Sequence, residues 1–263
     1  MSFSQIKSYA KINLALNIVG KTTNLHKIES IIAFIDLYDL IFIKKIKSKK
    51  NNISFSGKFS RNIGKKNTVS ELMKILEQKK FLKDKKFHIK VDKRIPSKAG
   101  LGGGSMNAAS ILKYFIKKKI IKIKKKQILK ISKMIGSDVI LGLNSFNTIL
   151  TSKNKIKIFT KYKKIHTLIV KPKFGCSTKE IYSKVKNFER PKLNRPNKNM
   201  FNLDYLKKIK LFIEKSLNPV FVRMSGSGSV LVAYFKSKKI CELAKKKFNK
   251  KYKNYWCIAS KTI

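Results

Sequence analysis

Pro96-Ser97-Lys98-Ala99-Gly100-Leu101-Gly102-Gly103-Gly104-Ser105 opens directly into Met106-Asn107-Ala108-Ala109. Upstream, Phe87, Ile89 and Val91 alternate with His88 and Lys90, the period of a strand. Downstream, Met106 to Lys118 reads as a helix. Strand, glycines and helix start together make an anion cradle. Glycine lets the backbone come close to phosphate oxygens, and the unpaired N–H groups of a first helical turn point at the ligand. Ala108 and Ala109 let that turn pack closely. A plain turn needs fewer glycines and no helix directly behind it.

Three common phosphate-binding patterns are excluded. A Walker loop fails because the one similar triplet, Gly20-Lys21-Thr22, has Ala15 where its first glycine belongs. A dinucleotide fold needs an acid ~20 residues on for the ribose. No Asp or Glu occurs between Asp92 and Asp138. The protein-kinase triplets His-Arg-Asp and Asp-Phe-Gly are missing as well.

The composition sharpens this reading by contrast. The chain has 263 residues, 63 basic against 13 acidic, and a formal charge of +50. Only Arg61, Arg94, Arg190, Arg195 and Arg223 are arginines, so 58 of the 63 basic residues are lysine. Dedicated nucleic-acid sites favour the arginine fork and a concentrated patch. Here lysines are scattered and accompanied by Ile and Asn, the composition that AT-rich codons produce. The charge is therefore read as compositional bias, without a dedicated nucleic-acid partner. Five windows carry no lysine: Ile12–Gly20, Ile28–Ile43, Ala99–Leu112, Met134–Ser152 and Val220–Phe235. They mark places where a long charged side chain does not fit.

Two of these windows hold companions to the glycine loop. Ile135-Gly136-Ser137-Asp138-Val139 contains the only acid between Asp92 and Glu180. Its ordinary reading is a helix cap or ion-pair partner; beside a phosphate loop it is a candidate general base. Arg223-Met224-Ser225-Gly226-Ser227-Gly228-Ser229 reads as a second loop suited to close backbone approach.

Outward from these motifs the chain alternates strands and helices in α+β fashion. Strands are expected at Tyr9–Val19, Ile28–Ile43, around Ile53 and Phe55, at His166–Val170, Val230–Phe235 and Trp256–Ser260. Helices are expected at Thr68–Lys79, Lys125–Met134, Leu203–Ser216 and Ser237–Phe248, with a hairpin over Asn144–Ile158. A boundary falls near 155–165. At ~100–150 residues per domain, the length suits one large or two modest domains. Cys176, Cys241 and Cys257 are odd in number and lack Cys-x-x-Cys spacing. With no apolar spanning run and no leader-like start, they point to a reducing cytoplasm and no membrane.

The first strand carries the most specific signal. It reads Ala10-Lys11-Ile12-Asn13-Leu14-Ala15-Leu16, followed by Gly20-Lys21 and by His26-Lys27-Ile28-Glu29-Ser30. Together with the two loops and Asp138, this order resembles the GHMP kinase superfamily. Within it the start resembles the 4-diphosphocytidyl-2-C-methyl-D-erythritol kinases. The resemblance spans residues 9 to 235. It departs at Thr23-Asn24-Leu25, where the family has Asp-Gly-Tyr, at Met106, a loop serine there, and at Ile140, a proline.

The resemblance implies an α+β, two-domain GHMP kinase fold. A ribosomal-protein-like ATP domain would cover 1–158, and a ferredoxin-like substrate domain 159–263. It implies Lys11 as catalytic lysine and Asp138 as base. Pro96, Gly100, Leu101, Gly102, Gly103, Gly104 and Ser105 would surround the phosphates of ATP. His26 and Tyr182 would bind the cytidine group, and Asn13 would line the substrate pocket. Mg²⁺ would arrive with ATP, with Ser105 as its best protein contact. The implied partner is a small molecule, cytidine diphosphate-linked methylerythritol, on a monomer or homodimer. Two rivals remain: a sibling kinase for another small alcohol, and a non-catalytic basic RNA-binding protein. RNA binding needs neither Lys11 nor Asp138.

Overall fold

The computed structural model describes residues 2–21, 26–61, 63–144, 146–151, 155–159, 163–172 and 204–263. The chain divides into two compact units that interleave along the sequence. The first comprises Met1–Ala10, Leu37–Ser97 and Gly102–Ser145; the second comprises Lys11–Asp36, Lys98–Leu101 and Phe146–Ile263. Two long strands, β1 (Ser4–Lys21) and β2 (His26–Ile46), contribute residues to both. A single cut at 158/159 is continuous in sequence, whereas the compact units are not.

In the first unit, β3 (Asn52–Ser56) and β4 (Lys86–Asp92) run parallel, joined through helix α1 (Thr68–Gln78). A parallel pair requires such a crossover. The latter half of β2 pairs antiparallel with β4, setting Ile41 opposite Val91 and Ile43 opposite Ile89. These residues are buried beneath α1 and α2 (Gly103–Lys117), which contribute Leu72, Leu76, Ile111 and Phe115. The start of α1 is fixed by a capping box: Asn67 Oδ1 accepts from Val69 N and Ser70 N, and Ser70 Oγ accepts from Asn67 N. Helices α3 (Lys125–Ile135) and α4 (Val139–Asn144) follow.

The second unit contains the antiparallel pairing of the early part of β2 with β5 (Thr148–Leu150), and of β5 with β6 (Ile156–Ile158). It also holds a four-stranded antiparallel sheet in the order β10-β7-β9-β8. Its chain order is β7 (His166–Lys171), α5 (Asp204–Leu217), β8 (Phe221–Met224), β9 (Leu231–Phe235), α6 (Lys238–Lys251) and β10 (Trp256–Lys261). Among the described residues, that β-α-β-β-α-β order is the ferredoxin-like arrangement that the family resemblance implies. Leu168, Val170, Leu231 and Ala233 meet Leu206, Ile209, Ile213 and Phe248 in its core.

Two local expectations change. Arg223 and Met224 belong to strand β8, so the second loop starts at Ser225. Val139–Asn144 is a helix that the Gly-containing apolar run did not suggest.

Candidate active site

In strand β1, Lys11 and Asn13 are two residues apart and share a face. Lys11 is only 4% exposed. Its Nζ donates to Asn13 Oδ1 at 2.8 Å. Asn13 Nδ2 donates in turn to Ser30 Oγ at 2.7 Å, and Ser30 Oγ donates to the Ala15 carbonyl at 2.7 Å. A buried ammonium is costly unless it is hydrogen-bonded. This relay, running from β1 to β2 and back, orients the amide that receives it.

The same face is joined to both glycine-containing loops. Lys11 N donates to the Leu101 carbonyl at 3.0 Å. Ser225 Oγ donates to the Gly100 carbonyl at 2.9 Å and accepts from Asn13 N at 3.3 Å. Gly100 has φ +73°, and a Cβ there would lie 1.9 Å from the Ser225 carbonyl oxygen. Only glycine fits this approach. Ser225–Val230 closes on itself through Ser225 N to the Val230 carbonyl and Gly228 N to the Ser225 carbonyl, each 3.0 Å. Thus Lys11, Asn13, Gly100, Leu101 and Ser225 are brought together in one unit.

Gly102, Gly103, Gly104, Ser105 and Asp138 lie in the other unit. Gly102 caps α2 in the left-handed region, at φ 69°, with no side-chain cap bond. The first-turn N–H groups are therefore presented without a competing side chain, at the positive end of a 15-residue helix. Thr68 Oγ1 donates to the Gly104 carbonyl at 2.7 Å, tying this turn to the start of α1. Behind it, a Cβ on Gly136 would be 3.5 Å from Ser105 Oγ. Gly142 faces Ala109, where an added Cβ would meet the alanine methyl at 2.6 Å. This close crossing seats α4 against α2. Asp138 immediately precedes α4, and its carbonyl accepts from Leu141 N at 3.1 Å.

Pro96 and Leu101 are buried, so their side chains pack and any ligand contact of theirs is through the backbone. Lys98 is exposed, with φ 51°. His26 is the first residue of β2, its side chain lying outside the described residues, as does all of Tyr182. Ser30 and Thr68 were not singled out from the sequence. Neither were Asp39, Lys93 and Asn107, which form a buried polar cluster in the first unit. Among the described residues there is no group of three or more His, Cys, Asp or Glu able to hold a metal ion. No described helix is long and apolar enough to cross a membrane.

Residues 67–150 match the model of the GHMP kinases N terminal domain. A 4-diphosphocytidyl-2-C-methyl-D-erythritol kinase of Pelagibacter ubique (strain HTCC1062) is 53% identical over 281 residues, covering 100% of both chains. The chain belongs to this kinase family. A relative of the same name from Clostridium beijerinckii is 31% identical over 95% of this chain and 97% of its own. The fold agrees with a crystal structure of 4-(cytidine 5'-diphospho)-2C-methyl-D-erythritol kinase, with a TM-score of 0.78 over 99% of this chain and 100% of that one, at 19% identity. Membership of a kinase family entails ATP as phosphoryl donor. The α+β GHMP kinase fold read from the glycine loop and first strand is the fold observed.

Proposed function

We propose that this chain transfers the γ-phosphoryl group of ATP to the 2-hydroxyl of 4-diphosphocytidyl-2-C-methyl-D-erythritol, in the non-mevalonate route to isoprenoid precursors. The full-length similarity to kinases of that name supports the substrate. The observation that carries the chemistry is Lys11: a buried ammonium held on Asn13, two residues along the same strand, in the stretch whose sequence resembles the family.

In this reading Asp138 accepts the proton of the 2-hydroxyl. The freed oxygen attacks the γ-phosphorus as the bond to the β–γ bridging oxygen breaks, and ADP leaves. Lys11 orients the hydroxyl and offsets negative charge in the transition state. The first turn of α2 offers N–H groups to the departing diphosphate. Such transfer depends on positioning and electrostatics more than on covalent chemistry by the protein. His26 and Tyr182 would recognise the cytidine group, and Asn13 would line the alcohol pocket. The division at 158/159 would separate nucleotide and substrate roles along the chain. Mg²⁺ would come bound to ATP and would neutralise phosphate charge. Ser105 is the hydroxyl available to it.

The test is ADP release with the cytidylated erythritol and, separately, with mevalonate, homoserine and unmodified methylerythritol. Turnover confined to the cytidylated alcohol is expected. Asp138→Asn should lower kcat by about 100-fold or more, the usual scale of general-base catalysis. Equal turnover by wild type and Asp138→Asn removes Asp138 as the base, and preference for another alcohol reassigns the substrate.

A further inference from the structure

The glycine loop is flanked by a buried cluster that the proposed chemistry does not use. Asp39, near the middle of β2, is wholly buried; Lys93 and Asn107 are 3% and 1% exposed. The Asp39 carboxylate receives four donors. Lys93 Nζ and Asn107 Nδ2 reach Oδ2, the latter at 2.9 Å. Arg94 N and Ile95 N both reach Oδ1 at 2.8 Å. A carboxylate saturated in this way tolerates burial, because every charge-bearing oxygen is paired.

The donors come from both sides of the loop. Lys93, Arg94 and Ile95 directly precede Pro96, and Asn107 lies in the early part of α2, just beyond the glycines. One side chain of β2 therefore holds the entry and exit of the glycine run. Lys93 also backs the helix start: a Cβ on Gly103 would lie 3.3 Å from its Nζ and 3.0 Å from Ile95 Cγ2. Asn107 Oδ1 is buried with no hydrogen-bond partner among the described residues. Its amide nitrogen makes the tie to Asp39.

We propose that Asp39, with Lys93 and Asn107, is a positioning unit that sets the glycine loop and the first turn of α2 for the nucleotide phosphates. None of the three is assigned contact with substrate; they act through the loop backbone. The inference rests on ATP being the ligand of that loop.

Asn107→Ala is the cleanest probe, since it cuts the tie to α2, leaves the Asp39–Lys93 pair intact and introduces a good helix former. Asp39→Asn is the second, expected to be the more destabilising because it leaves Lys93 buried without its counter-charge. Both should raise KM for ATP by about tenfold, the scale of losing a hydrogen bond to a charged group. KM for the alcohol should stay within about twofold. In the protein without ligands, peptides covering 96–107 should exchange amide hydrogen faster while those of β7 and β9 do not. An unchanged KM for ATP in folded Asn107→Ala overturns the proposal, as does a parallel rise in both KM values. If Asp39→Asn does not fold, Asn107→Ala decides. If the wild-type chain does not use ATP, the proposed function falls. The exchange measurement then still judges whether the cluster holds the loop, and unaltered exchange over 96–107 rejects it.

Discussion

At the scale of single residues, Lys11 shares with Lys93 a burial that sets both apart from the exposed lysines, and its own constraint is a neutral amide. Its ammonium is hydrogen-bonded to an amide that is itself held by Ser30 and, through its backbone, by Ser225. Lys11→Met should therefore lower kcat by about 100-fold or more with little loss of fold, since methionine fills the same slot without needing a partner. Asn13→Ala leaves the ammonium in place but removes the Asn13 oxygen from it, so kcat should fall less than in Lys11→Met. Steady-state kinetics with both substrates varied checks the ranking, and an Asn13→Ala enzyme as fast as wild type would remove the relay from catalysis. The thiols of Cys241 and Cys257 carry no charge to be held in this way. Burial pushes the Cys241 thiol up to about 11 and Cys257 up to about 12, their other charged neighbours contributing less. Both thiols thus stay protonated in the folded protein at neutral pH, and thiolate is the nucleophile. At pH 8 they should react with a disulfide reagent far more slowly than in denaturant. Raised values also mean that the folded state holds more protons than the unfolded state above about pH 8.5. Their contribution to stability is full below that pH and declines as pH rises toward about 12. A denaturant midpoint that stays level from pH 8 to 11 would contradict the burial of these thiols.

At the scale of elements, the glycines that matter are those where two backbones or a helix pair approach. Gly100→Ala places a methyl against the Ser225 carbonyl, which lies 1.9 Å from the ideal Cβ position, and forces a φ of +73° on an L residue. The left-handed conformation alone costs about 1–2 kcal/mol. The larger effect should be separation of the two loops, seen as loss of activity and a lower Tm. Gly142→Ala meets Ala109 Cβ at 2.6 Å, where no flexible side-chain end can yield. Overpacking of this kind costs about 1–3 kcal/mol. Because α4 directly follows Asp138, the proposed base, kcat should fall as well; a variant that loses Tm but keeps kcat would separate the α2–α4 seat from that proposed role. Most of these elements were legible in the sequence: the alternation in Phe87–Val91 and the apolar face of α1 are regular enough to bound each to within a residue or two. Helix α4 was not, because four apolar residues interrupted by a glycine and ended by Asn144 carry no clear period. Strand β8 was hidden by its brevity beside a serine- and glycine-rich loop. The glycine loop was legible as a candidate from its local context, strand, glycines and helix start in succession, whereas Lys11 and Asn13 became candidates only through the resemblance of the first strand to the family. Asp39, Lys93 and Asn107 were not legible: the carboxylate is 54 and 68 positions from its side-chain partners, and Lys93 is one lysine among 58. Only the β2–β4 register, which sets Leu40 opposite Asp92, brings Asp39 beside the start of the loop.

For the molecule as a whole, the decisive quantity is a formal charge of +50 in a chain whose proposed substrates are polyanions. A positive field of this size steers anions and raises encounter rates, and it is screened within about 10 Å at 0.1 M salt. Once ATP and the diphosphate substrate are bound, the same bulk field has little further effect on the chemical step. Raising NaCl from 20 to about 300 mM, well past the point where surface fields are screened, should therefore lower kcat/KM for both substrates several-fold while kcat changes little. Non-specific RNA binding should show the same origin. Scattered lysines neutralise phosphates without an arginine-rich reading surface, so affinity should fall steeply and linearly in log–log salt. The competing expectation follows from a built RNA site: tight binding that survives about 300 mM salt, because directed contacts remain after counterion release is suppressed. Filter binding with a structured and an unstructured RNA, alongside kinetics at the same salt concentrations, discriminates the two. Salt-sensitive binding equal for both RNAs, with kcat preserved, assigns the lysines to composition and steering. Salt-resistant binding that prefers one RNA would give the charge a function of its own, separate from the buried ammonium of Lys11.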